Sequence, residues 1–299
     1  MSARAWIFFG AVSVLWGIPY YFIKIAVDDG IPPVFLAWAR VTIAAVLLGL
    51  LCWRLGLLRG LPAYWRPLAF YAVAEIAIPF PLIGFGEQHV SSSLAAILIA
   101  AVPLIVAVLT LRFDPTERPT GSRLVGLFIG FAGVIALVGL DLAGDSDELL
   151  GALAILIAAC GYAGGPMVLK LGLGKVDPRA IMFGALTIAA LVLAPFALTN
   201  TPAGPVPTEA VVSIAVLAVF CTATAFVLFG VLNAEVGPSR SSVITYVAPV
   251  VALALGVIAL DERPGVGAIL GFVLILIGSY LATASPRDVV KTELQSDSA

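Results

Sequence analysis

Two ionisable residues sit where charge is costly. Arg40 lies about seven residues into an apolar run over 34–53, and Glu75 about nine residues into another over 67–87. An arginine held in hydrocarbon costs about 2.5–3.5 kcal/mol on insertion scales. Arg40 is therefore expected to face a protein interior, as a clamp for a carboxylate or phosphate. The rival readings are a structural ion pair or a side chain that snorkels to the surface. Glu75 is the one acid near the middle of any apolar run. A carboxyl taken out of water favours its neutral form unless it is paired, so Glu75 is the candidate for taking up and releasing a proton. It could equally neutralise Arg40, since at 1.5 Å per residue the two lie within about 10 Å in depth. Pro79 and Pro81 follow Glu75 and should kink or unwind its helix, and freed backbone groups at that depth are tolerated where they line a cavity.

Five aromatics could line the same cavity and stack on a bound molecule: Trp16, Tyr20, Trp38, Tyr162 and Tyr246. Aromatics in apolar runs also serve as packing or interface anchors. Thr222, Thr224 and Thr245 offer hydroxyls, although threonine in a helix often bonds its own backbone. Pro79, Pro103 and Pro249 are hinge candidates. Lys24 and Lys170 read as snorkelling anchors. Glu117-Arg118 and Glu262-Arg263 read as caps or pivots at helix junctions. His89, the single histidine, reads as solvated at a helix end. Cys52, Cys160 and Cys221 stand apart in apolar runs, which argues against disulfide or zinc chemistry. No metal or cofactor is expected, and no nucleotide-binding loop occurs.

The elements that must position these residues follow from composition. The chain of 299 residues is 61% hydrophobic and 11% charged, where soluble domains carry about 25% charge. Its mean hydropathy is +1.11, so the expected solvent is lipid. A net charge of −2 without a basic patch gives no sign of nucleic acid. Ten apolar runs are long enough to span a bilayer: 5–27, 34–53, 67–87, 91–111, 122–140, 149–171, 179–198, 209–232, 240–260 and 265–284. The first is too long for a signal-peptide core and is expected to be retained. With the N-terminus cytoplasmic, thirteen lysines and arginines fall inside and only Arg263 outside, Lys24 and Arg40 lying within spans. That asymmetry supports ten spans with both termini cytoplasmic.

The chain also repeats itself. At an offset of 146 residues Val90 meets Val236, Ser93 meets Ser239, Pro103 meets Pro249, Lys24 meets Lys170 and Trp16 meets Tyr162. At 145, Glu117-Arg118-Pro119 meets Glu262-Arg263-Pro264, Gly126 meets Gly271 and Gly133 meets Gly278. The expected units are residues 1–143 and 144–284, with a polar, disordered cytoplasmic tail over 285–299. Each unit holds five spans, an odd number, so the second enters the membrane inverted. The fold expected is an all-α integral membrane protein of ten transmembrane helices in two inverted five-helix repeats, an architecture that serves alternating access. Gly126, Gly130 and Gly133 share a face of the fifth span, for packing or for a dimer.

Leu15-Trp16-Gly17 with Pro19 and Lys24 resembles the EamA family of the drug/metabolite transporter superfamily. So do Arg40, the proline-centred fourth span around Pro103, Glu117 and the Gly126/Gly133 spacing, the last block recurring as Pro249, Glu262, Gly271 and Gly278. The resemblance covers residues 5–284. It implies a ten-helix carrier of metabolites such as amino acids, in a bacterial inner membrane. Leu186 stands opposite Arg40 in the second half, so a site built on Arg40 is asymmetric. The expected function is secondary transport of a small polar metabolite, with export favoured. The partners expected are that substrate, the lipid bilayer, protons and a second copy of the chain. The rival class is an intramembrane enzyme acting on a lipid-linked substrate. It would need a Ser/His pair, paired intramembrane aspartates or an acidic metal cluster. Asp28-Asp29 is the nearest approach to such a cluster.

Overall fold

The computed structural model describes residues 1–113, 121–141, 145–237 and 241–283. The expected tail and Glu117-Arg118 lie outside them. Among the described residues there is no strand. Eight helices are long and apolar enough to cross a membrane: α1 (Ala3–Asp28), α2 (Pro33–Arg54), α3 (Leu61–Glu87), α4 (Ser92–Leu109), α5 (Ser122–Asp141), α6 (Ser146–Gly165), α7 (Pro178–Thr199) and α8 (Thr208–Val236). Two shorter apolar helices, α9 (Ile244–Ala259) and α10 (Val266–Ala282), complete the ten. Ile7, Phe128, Ile135, Leu191 and Ile258 are all more than two-thirds exposed. An outward belt of large apolar side chains suits lipid and not water.

Local chemistry sets where helices start and break. Proline opens α2 and α7, where its missing N–H costs nothing. Asp177 precedes α7 and accepts from the Arg179 backbone N–H (2.9 Å) and side chain. The Arg179 side chain holds the Asp177 carboxyl below its ordinary range. Inside the bundle, α1 breaks at Ile18 before Pro19. In α4 the break falls between Ile99 and Val102, next to Pro103, which gives Ile99 no helical donor. Pro249 behaves differently: α9 runs through it unbroken. The α3 and α8 helices widen into π-helical turns at Val73–Ala77 and Val219–Thr224.

The helices pair as α2 with α7, α3 with α6, α5 with α10, α4 with α9, and α1 with both α8 and α9. The glycines of α5 meet α10 within the chain. A Cβ on Gly133 would lie 2.8 Å from the Gly271 carbonyl, and one on Gly126 2.7 Å from that of Gly278. That glycine face is thereby occupied, so a homodimer would need another surface.

Two carboxylates tie the ends of helices together. Glu262, between α9 and α10, accepts from the backbone N–H of Ser92 (2.7 Å) and Ser93 (2.9 Å) and from the Ser93 hydroxyl. It thus caps α4, as expected of this junction. Asp141, at the end of α5, accepts from Gly267 (3.0 Å) and Ala268 (2.6 Å) at the start of α10. Such bonds satisfy orphan donors and place negative charge at a positive helix end. Glu262→Ala is expected to destabilise the protein by about 1–3 kcal/mol, read as a lower melting temperature in detergent. Glu262→Gln should recover part of the loss, because it keeps an acceptor. Equal melting of all three proteins would remove the cap from the account.

Candidate functional site

Arg40 and Glu75 both face the interior, from α2 and α3, and they do not pair with each other. Arg40 is 8% exposed. Its Nε donates to Thr222 Oγ1 at 2.8 Å, and its guanidinium carbon lies 4.3 Å from the centre of the Phe80 ring. The Thr222 hydroxyl in turn donates to the Leu217 carbonyl at 2.7 Å. That bond points the Thr222 lone pairs at Arg40. A buried cation over an aromatic face gains about 2 kcal/mol, which offsets part of its desolvation. Among the described residues no carboxylate closes on Arg40, and its two terminal nitrogens make no hydrogen bond.

Phe80 reaches Arg40 because of the helix distortion before it. Pro79 has no N–H to give the carbonyls of the preceding turn, and the π-helical turn at Val73–Ala77 inserts extra backbone there. Glu75 lies within that turn. It is half-buried, and among the described residues its carboxyl has no hydrogen-bond or ion-pair partner. The side chain passes over α6 where Gly165 has no Cβ; one built there would overlap the Glu75 carboxyl. Gly161, one turn earlier, leaves room for Pro79 and the Ala74 carbonyl.

Tyr162, beside these glycines on α6, is within electrostatic reach of both Arg40 and Glu75. Tyr20 and Cys221 also lie within electrostatic reach of Arg40. The site thus gathers Arg40, Glu75, Tyr20 and Tyr162, with Phe80 and Thr222 behind the guanidinium. Cation, carboxyl and phenols can hold a small molecule that carries both an anionic and a cationic group.

Three expected lining residues are seen in other contacts. Trp16 packs against Phe226 (5.6 Å) and Phe229 (4.8 Å) of α8. Trp38 is two residues from Arg40, roughly 200° around the helix, and rests on Phe35 at 5.7 Å. Tyr246 donates to the Ser279 carbonyl at 3.2 Å, on the seam between α9 and α10. Of the hinge candidates, Pro79 adjoins the site, whereas Pro103 and Pro249 sit in α4 and α9. Lys24 is no lipid anchor. It donates to the Glu87 backbone carbonyl (2.8 Å) and pairs with Asp28 (3.0 Å), tying α1 to α3. His89 is half-buried against Phe85, at 4.8 Å between ring centres. All three cysteines are free.

Sequence reasoning missed Phe80, Gly165 and Glu87. Phe80 was legible only as the residue held between Pro79 and Pro81. Gly165 was one glycine among 29. Glu87 ends its apolar run beside Gln88-His89 and reads there as an interfacial acid.

The comparisons agree with this architecture. The family model described as the EamA-like transporter family matches residues 4–139 and again 149–284. The inner membrane transporter YedA of Escherichia coli is 30% identical over 295 residues, covering 92% of this chain and 92% of that protein. The transporter YoaV of Bacillus subtilis is 26% identical, covering 91% and 94%. A probable amino-acid metabolite efflux pump of Escherichia coli is 27% identical, covering 90% and 91%. A solved crystal structure superposes with a TM-score of 0.66 at 18% identity, covering 95% of this chain and 98% of that one, and supports the fold alone. With eight helices long and apolar enough to cross a bilayer, the chain is a multi-pass membrane protein.

Proposed function

The chain belongs to the EamA-like transporter family, and from that premise we propose that it exports an amino acid or a closely related zwitterion across the inner membrane by alternating access. The observation that carries the substrate class is the separation of Arg40 from Glu75. Each is free of a counter-ion among the described residues, and Tyr162 lies within electrostatic reach of both. Arg40 receives the carboxylate of the substrate on its uncommitted nitrogens, and Glu75 receives the ammonium. When the site is empty Glu75 takes a proton instead, which makes it the coupling group for proton exchange. The export direction takes its support from the relative named as an efflux pump.

Alternation rests on two inverted halves, residues 1–143 and 144–284, with both termini cytoplasmic. Three observations support the inversion. Exchanging the halves turns the α3–α6 pairing into α8–α1, and α1–α9 into α6–α4, all of which occur. The π-helical turns of α3 and α8, starting at Val73 and Val219, lie 146 residues apart, the repeat offset itself. The glycine seam runs antiparallel, Gly126 to Gly278 and Gly133 to Gly271, as inverted copies require.

The test is ligand-induced thermal stabilisation of the purified protein, followed by counterflow in proteoliposomes. Free amino acids are expected to stabilise it. The matching amines and carboxylic acids, each lacking one of the two charges, should not. Equal stabilisation by a carboxylic acid that lacks the amine would remove Glu75 from the site.

A further inference from the structure

A second acid is buried more completely than Glu75 and has no place in the site above. Glu87 is the last residue of α3 and is 0% exposed. Neither of its carboxyl oxygens has a hydrogen-bond partner. An ionised carboxylate without donors, out of water, is strongly disfavoured. Its place at a helix C-terminus adds the negative end of the helix dipole.

The surroundings divide by charge. From α1 come Lys24, Asp28 and Tyr20; from α2, Arg40; and from the α9–α10 junction, Glu262. From α6, Ile155 and the Gly151 carbonyl pack against the adjacent Gly86, and Gly151 itself lies against His89. From α4, Ser92 and Ser93 give their backbone N–H groups to Glu262 and none to Glu87. Arg40 spends its Nε on Thr222. Lys24 is the nearby cation, but its ammonium is already divided between Asp28 and the Glu87 backbone carbonyl. The side chain of Glu87 is left over, in a closed end of the bundle held by Lys24 and Glu262.

We propose that Glu87 is a proton-binding site of its own, at the end of the bundle opposite the termini, that holds a proton while that end is closed and releases it when the end opens. The proton leaves the carboxyl for water admitted by the opening, and the carboxylate left behind takes up Lys24. Closing reverses both steps. The inference rests on the transporter reading for its consequence, coupling of the cycle to a proton gradient, and on the buried carboxyl alone for the bound proton.

The first arm of the test needs no ligand. Infrared spectra of the full-length protein near neutral pH, wild type minus Glu87→Gln, are expected to show the carbonyl stretch of a protonated carboxyl, shifted in D2O. Wild type minus Glu75→Gln controls for the other acid. Absence of the Glu87 band overturns the proposal. The second arm uses proteoliposomes. Glu87→Gln, which keeps the shape of the neutral carboxyl, is expected to retain stabilisation by amino acids but to show weaker drive by a pH gradient, with Glu75 supplying what remains. Undiminished drive in Glu87→Gln overturns the release step. If wild type binds no amino acid, the transport reading fails, while the infrared band still decides whether Glu87 carries a proton.

Discussion

Arg40→Ala is expected to abolish substrate binding while leaving the empty protein as stable as wild type, or more so. The two effects have one cause. The guanidinium is buried without a counter-ion, held by one hydrogen bond to Thr222 and one aromatic face. Removing it removes a desolvated charge that the fold does not need. Thr222 loses a donor but keeps its own bond to the Leu217 carbonyl, so no polar group is orphaned. The ligand, by contrast, loses the one buried cation among the described residues. Removing one partner of a buried, hydrogen-bonded charge pair costs about 2–5 kcal/mol, or at least about 30-fold in affinity. Arg40→Lys should rescue little, because a point charge cannot bond the carboxylate and Thr222 together in the planar geometry of the fork. Melting curves with and without ligand test both halves. Undiminished ligand stabilisation in Arg40→Ala would place the anion site elsewhere, and a collapse of the empty protein would make Arg40 structural.

Gly278→Leu is expected to cause the largest loss of stability of any single change described. A Cβ at Gly278 would lie 2.6 Å from the Gly126 carbonyl and against the Gly130 backbone. Backbone on a facing helix cannot rotate aside as a side chain can, so α5 and α10 must separate. Overpacking of this kind costs about 1–3 kcal/mol, occasionally more, for small insertions, and leucine exceeds a small insertion. Gly278→Ala should fall within that range and Gly278→Leu beyond it, both read as melting temperature and as yield of folded protein. Gly139→Ala on α5 is the control, because nothing lies within 4 Å of its Cβ. If Gly278→Leu melts with the control, the seam does not pack as described. In lipid, apolar side chains gain little from leaving one apolar surroundings for another, so close backbone approach carries more of the helix association. This is why a glycine seam outweighs any single leucine here.

Much of the architecture was legible in the residue order. Lipid as solvent demands about 20 apolar residues per span, and that requirement alone located all ten helices to within a few residues of their observed ends. Glu262 was readable as a cap because its Glu-Arg-Pro context recurs at a consistent offset. Arg40 and Glu75 were readable as candidates for a site because charge inside a span needs a reason.

Partners were another matter. Distance in depth placed Arg40 and Glu75 within reach of each other, yet depth says nothing about rotation around a helix axis. The π-helical turn before Pro79 re-aims Glu75 toward Gly165 on α6 and Phe80 toward Arg40 on α2; the prolines announced a distortion there, but not which way it turns either side chain. Trp38 fell to a different face of α2, and Tyr246 to the α9 and α10 seam, for the same reason. Leu186, 146 residues after Arg40, is fully buried in the core. The sequence by itself determined the solvent, the number of spans and which residues carry charge into the membrane, because each of these follows from transfer free energy along one chain. Only the tertiary structure decided which charges meet and which stay alone, because that depends on how helices far apart in sequence turn their faces toward one another.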